Sequence, residues 1–91
     1  MEFEWDEDKA KLNERKHGVS FEEAESAFED ENAVEIYDEL NSVEETRFQI
    51  IALSPVRLLF VAFTLREEKI RLISARKANT KQIEIYNEFN R

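Results

Sequence analysis

The sequence predicts an α+β fold, with helices at the two ends of the chain packed on one antiparallel sheet. Two observations carry that prediction. Both ends show apolar side chains at helical spacing, bounded by capping residues. Between them lie short segments rich in β-branched and aromatic residues, joined by hairpin-sized polar links. The coarse order is α-α-β-β-β-β-α.

Asp6 N-caps a first helix that runs through Lys9, Leu12 and Lys16. Gly18 supplies a left-handed stop, and Arg15, Lys16 and His17 place cations in the last turn, where the helix dipole favours them. Ser20 opens a second helix. With Glu23 it forms a capping-box pattern, and Val19 with Ala24 forms a weak staple. Phe21, Ala24 and Phe28 share one face, and this helix ends near Asp30. Ala33–Tyr37 then alternates as a strand, followed by a polar loop over 38–46.

Three strands follow, Arg47–Leu53, Leu58–Leu65 and Lys69–Ala75, linked by residues 54–57 and 66–68. The middle one is the most apolar and suits a central position. Straight alternation on the last puts Ile70, Leu72 and Ser74 on one face, and Lys69, Arg71, Ile73 and Ala75 on the other. Asn79 or Thr80 caps a final helix whose core face is Ile83, Tyr86 and Phe89. Phe3 and Trp5 read as an apolar anchor onto the sheet.

A chain of 91 residues predicts one domain, 1–91, with 42% hydrophobic residues, seven of them Phe, to build one core. The absence of cysteine excludes disulfides and thiolate metal sites. The longest nearly apolar run, Leu58–Thr64, is far short of the ~20 residues a membrane span needs. The first residues are acidic where a signal peptide is basic, so the expectation is a cytoplasmic protein without membrane contact.

The net charge of −8 argues against bulk attraction to nucleic acid. Its distribution is uneven. Residues 18–46 hold eleven acids and no Lys or Arg, whereas residues 47–91 hold nine bases and four acids. A positive patch can therefore sit on an acidic protein.

Few site types are available. A single histidine rules out a His pair on a metal, and there is no glycine-rich phosphate loop. The acids Glu29, Asp30 and Glu31 read as a solvated helix end rather than a cation site. His17 alone reads first as a helix C-terminal cation. Arg66, Lys69 and Arg71 read as edge-protecting charges. Arg76 and Lys77 are different, because cations just before a helix oppose its dipole and need another reason to be there.

Three stretches together resemble a known family. They are Phe3-Glu4-Trp5-Asp6 with Lys9 and Asn13; Lys16-His17-Gly18-Val19-Ser20-Phe21-Glu22-Glu23-Ala24 with Phe28 and Asp30; and Phe63-Thr64-Leu65-Arg66 with Ile70-Arg71-Leu72-Ile73-Ser74-Ala75-Arg76-Lys77-Ala78, then Glu84 and Tyr86. In order and spacing they resemble the BrnT toxins of the type II BrnT/BrnA toxin–antitoxin system. The chain departs from that pattern at Ala52 and in the turn Ser54-Pro55-Val56, where glycines are common, and in its acidic middle segment.

The resemblance implies a RelE-like fold with a roughly four-stranded antiparallel sheet. It implies a metal-independent endoribonuclease, without cofactor, that cleaves RNA by 2′-hydroxyl attack and inhibits translation. It also implies a BrnA-like antitoxin in a 2:2 heterotetramer, with operator DNA bound only through the antitoxin. On this basis Arg66 and Arg76 grip the scissile phosphate and His17 is the acid–base group. Lys16, Arg47 and Lys77 bind substrate, and Tyr86 is a further candidate donor. The alternative is a non-catalytic antitoxin-binding subunit of a repressor complex. The two readings divide on whether His17, Arg66 and Arg76 converge on one phosphate; antiparallel strands set Arg66 and Arg76 at opposite ends of their hairpin unless the sheet curls or a further strand or helix brings basic groups across.

Overall fold

The computed structural model describes residues 1–41 and 45–91. Its elements in chain order are β1 (Phe3–Glu4), α1 (Glu7–His17), α2 (Phe21–Ala27) and β2 (Val34–Tyr37), then a 3₁₀ turn (Glu39–Asn41), β3 (Arg47–Leu53), β4 (Leu58–Arg66), β5 (Lys69–Lys77) and α3 (Thr80–Phe89). The expected loop over 38–46 falls partly outside the described residues.

The strands form one five-stranded mixed sheet in the order β1-β5-β4-β3-β2. The expectation of four antiparallel strands is corrected by β1, which pairs parallel with β5 through Phe3 opposite Ile70 and Glu4 opposite Arg71. Two residues are too few to show a strand periodicity in sequence, so Phe3 read only as an anchor. The most apolar strand, β4, lies at the centre as predicted.

The helix caps follow the chemistry of their residues. The Asp6 side chain accepts from the amides of Asp8 and Lys9 at 2.9 and 3.1 Å, and Gly18 takes the left-handed conformation (φ 70°) as its amide bonds the Glu14 carbonyl. Ser20 Oγ accepts from the Glu23 amide at 3.0 Å. The reciprocal half of that expected capping box is missing, because the Glu23 carboxylate is drawn to Arg57 instead. α3 carries a complete capping box between Asn79 and Gln82.

One sheet face is covered by α1 and α2. There Ile50, Ala52, Leu59, Val61, Phe63, Ile70, Leu72 and Ala75 pack with Val19, Phe21, Ala24 and Ala27. Trp5 stands edge-on to Phe21, and Phe28 lies edge-on between Phe3 and Phe63. On the other face α3 crosses β2 and β3, above the fully buried Ile51.

α3 is held differently from expectation. Ile83 and Phe89 are exposed at 41% and 74%, while Gln82, Ile85 and Tyr86 are half-buried. Tyr86 thus faces inward as expected, but Gln82 and Ile85 take the places beside it that Ile83 and Phe89 were expected to fill. Polar bonds supplement it. Tyr86 Oη donates to Asp30 Oδ2 at 2.7 Å, and Asn90 Nδ2 donates to the Asn32 carbonyl at 2.9 Å.

A β-bulge in β5 decides the faces of the last strand. Ala62 opposes Ser74 but Phe63 opposes Leu72, so Ile73 is the extra residue. Before it, Ile70 and Leu72 point to the helices. After it the parity reverses, so Ala75 is buried in the core while Ser74 and Arg76 join Lys69 and Arg71 on the opposite face. The straight alternation expected for Lys69–Ala75 is corrected at Ser74 and Ala75 by this one residue.

Candidate nucleic-acid interface

The side of the sheet away from α1 and α2 carries the basic residues. Register and alternation place Arg47 of β3, Arg66 of β4, and Lys69, Arg71 and Arg76 of β5 on this one face. Gln49, Ala62, Thr64 and Ser74 lie between them.

Most of these cations are held by carboxylates. Arg71 Nη1 lies 2.9 Å from Glu4 Oε2, which is what β1 contributes to the face, and Lys69 Nζ lies 3.8 Å from Glu2. Arg47 and Arg66 share Glu45, at 3.5 and 3.8 Å. Arg76 is the exception. Its guanidinium lies over the Phe60 ring, 5.0 Å from the centroid, and it has no ion-pair partner among the described residues. A guanidinium resting on a ring keeps its donor fork free at the rim, suited to phosphate oxygens.

The predicted site residues separate into two groups. Arg47 and Arg66 meet around Glu45 at the end of the sheet near the β4–β5 turn. Arg76 and Lys77 stand at the opposite end, with Arg76 opposite Phe60 and Lys77 opposite Leu59. Six residue steps along β4 lead from Phe60 to Arg66, about 20 Å of strand. The structure thus sets Arg66 and Arg76 on one face without bringing them to one phosphate. The bulge turns Lys77 to the helix side, exposed.

Lys16 and His17 belong to the Arg76 end. Asn13, a buried side chain of α1, bonds both the amide and the carbonyl of Ala75 at 3.1 and 2.8 Å, and the Val19 carbonyl at 3.0 Å. It therefore takes over pairing of the β5 edge beyond the last residue of β1. His17 follows one helical turn later, about 6 Å along the axis. It is half-buried and forms no hydrogen bond or ion pair with Arg66 or Arg76.

A second network fixes this corner. The Glu23 carboxylate accepts from Arg57 Nε and Nη2 at 3.0 and 2.8 Å and from Ser54 Oγ at 2.8 Å, while Arg57 Nη2 also donates to the Gly18 carbonyl at 2.9 Å. The β3–β4 turn is thereby tied to the glycine that follows His17. The hydrogen bond from Arg57 holds the Glu23 carboxyl below its ordinary pKa, against the opposing effect of burial.

Tyr86 is committed to the fold. Burial and its bond to Asp30 push its phenol up to about 12. At Asp30, burial works to raise the carboxyl, but the amides of Leu53 and Asn32 and the Tyr86 hydroxyl outweigh it and hold the group below its usual value.

Arg71, like Lys69, is a residue of this face for which the sequence indicates only edge protection. Its signal was its place two residues from Lys69, with Glu4 available across the sheet. The alternation was legible, but the pairing of β1 was not.

Comparison with known proteins agrees with the sequence motifs. No curated protein matches the chain. The family model described as the ribonuclease toxin, BrnT, of type II toxin–antitoxin systems matches residues 5–82. That span takes in α1, α2, the sheet from β2 to β5 and the start of α3, and so every basic residue of the face. The chain belongs to the BrnT family of ribonuclease toxins.

Proposed function

We propose that this chain is a metal-independent endoribonuclease of RelE-like arrangement, one domain over 1–91, acting in the cytoplasm. RNA cleavage inhibits translation, and a BrnA-like antitoxin neutralises it in a 2:2 heterotetramer that reaches operator DNA only through the antitoxin. The observation that supports this reading best is Arg76, a cation without a carboxylate partner on a face where the other cations are matched.

In the proposed reaction the RNA backbone lies along the basic face and turns over the Lys77 end of the sheet, so that Arg76 on that face and His17 at the end of α1 flank one phosphate. Arg76 grips the scissile phosphate and stabilises the phosphorane as negative charge builds on its oxygens. Lys16 and Lys77, at the same end, add positive potential. His17 takes the 2′-hydroxyl proton, and a proton returns to the leaving 5′-oxygen, giving a 2′,3′-cyclic phosphate and a 5′-hydroxyl. Histidine is suited to this because its ordinary pKa lies near neutrality. Arg66 and Arg47, at the far end, hold another phosphate of the same strand rather than the one being cut.

The alternative is a non-catalytic antitoxin-binding subunit of a repressor complex. It draws on the position of His17, which bonds to neither arginine. The test is induction of this chain in cells with and without the adjacent reading frame, beside Arg66→Ala and Arg76→Ala variants, with RNA integrity read early. Rapid cleavage and growth arrest, lost in Arg76→Ala and rescued by the neighbour, is the expected result. No arrest from a soluble, folded chain favours the non-catalytic reading.

A further inference from the structure

The helix side of the sheet carries a second surface of opposite charge. Two adjoining clefts, about 430 and 310 Å³, meet at Met1 and Phe28. The smaller is floored by Ile50, Phe63 and Ile70, with Leu65 exposed beside them, and the larger runs along α2 over Phe3. Its rim is acidic. Glu22, Glu25 and Glu29 line one bank at three- and four-residue spacing, and Glu35 of β2 stands on the other. None of these four carboxylates has a hydrogen-bond or ion-pair partner among the described residues. On the basic face, by contrast, Glu2, Glu4 and Glu45 are each paired with a cation.

An apolar floor between unpaired carboxylates selects its occupant by charge as well as by shape. An acidic or uncharged apolar segment gains the floor but leaves the rim unmatched. A segment with apolar side chains on one flank and Lys or Arg on the other satisfies both.

We infer that this cleft seats a positively charged, amphipathic segment of the antitoxin, with apolar side chains on Phe28 and Phe63 and cations along Glu22, Glu25 and Glu29. The inference rests on the antitoxin reading above. It adds a location, on the opposite side of the sheet from Arg76. A segment seated there anchors the partner, and the rest of that partner must reach round the sheet edge to cover the basic face.

The test titrates the purified protein encoded by the adjacent reading frame against this chain. The variants are Glu22→Lys/Glu25→Lys/Glu29→Lys combined and Glu84→Lys on α3, outside the cleft. Circular dichroism confirms that each is folded. The expected result is at least about tenfold weaker binding by the triple variant. The Glu84 variant stays within about threefold of the parent, and rising salt weakens the parent complex. Reversing basic residues of the bound segment to Glu restores affinity for the triple variant. Parental affinity in the triple variant, or an equal loss in Glu84→Lys, overturns the location while leaving the antitoxin reading intact. Failure of the parent chain to bind at all overturns the antitoxin reading and the location with it.

Discussion

Replacing Asn13 with Ala tests the joint that carries α1 to the Arg76 end of the sheet. The Asn13 side chain is 7% exposed and makes three hydrogen bonds, two to Ala75 and one to Val19. Each intramolecular bond contributes a net of about 1 kcal/mol, so their loss costs about 3 kcal/mol. Alanine is the better helix former and returns about 0.5 kcal/mol. The net loss is then about 2.5 kcal/mol, against a total of roughly 5–14 kcal/mol expected for a chain of this length. A domain of this size loses about 4–8 °C per kcal/mol, so thermal unfolding followed by circular dichroism is expected to show a Tm about 10–20 °C lower. Asn13→Asp sharpens the test. It keeps the acceptor for the Ala75 amide but turns an anionic oxygen toward two carbonyls, so at neutral pH it destabilises more than alanine. It recovers in part as the pH falls and the carboxyl protonates. A fall in Tm below about 3 °C for Asn13→Ala would refute the edge-pairing role.

Three further predictions concern stability and one an ionisation. The Glu23 carboxyl is depressed in the folded state, so its contribution is present above its unfolded pKa and is lost as pH falls through the folded value. Glu23→Gln is therefore less stable than the parent at neutral pH and loses less on acidification; parallel curves of Tm against pH would contradict this. Tyr86→Phe removes the hydroxyl bonded to the Asp30 carboxylate and is expected to cost about 1.5–3 kcal/mol in a denaturant titration. In the parent, the Tyr86 phenol is expected to ionise with a midpoint of about 12 in an ultraviolet titration. The β4–β5 turn holds Glu67 and Glu68 at φ 51° and 69°, so Asn–Gly in their place is expected to raise Tm by several degrees, and an unchanged Tm would argue against strain there.

Much of the scaffold was legible because caps and links are local chemistry. Asp6, Gly18, Ser20 and Asn79 each sit where a terminal amide or carbonyl needs a partner or a left-handed residue, and the observed helix ends follow. What escaped depends on partners distant in sequence. β1 is defined only by its pairing with β5, sixty-seven positions away. Gln82 and Ile85, in place of Ile83 and Phe89, turn inward beside the expected Tyr86 because α3 is fastened by Asp30 and Asn32 rather than by a deep apolar stripe.

The candidate site shows the same division. Residue types identified the basic positions, and the order of the motifs identified the family. Their grouping needed register. Arg76 reaches the basic face only because Ile73 is bulged, and no glycine or proline marks that bulge. Without it, alternation would turn Arg76 toward the helices and Ala75 out of the core. The separation of Arg66 from Arg76, by contrast, was legible, because consecutive antiparallel strands reverse and the observed pairing keeps the two arginines at opposite ends of their hairpin.

The most direct test of the basic face is cleavage of RNA by the purified chain in the presence of a metal chelator, with Arg76→Ala alongside and the product ends identified. The proposed chemistry predicts cleavage that persists in chelator, leaves 2′,3′-cyclic phosphate ends and falls by at least about a hundredfold in the folded Arg76→Ala variant. Cleavage abolished by the chelator, or undiminished in Arg76→Ala, would contradict it.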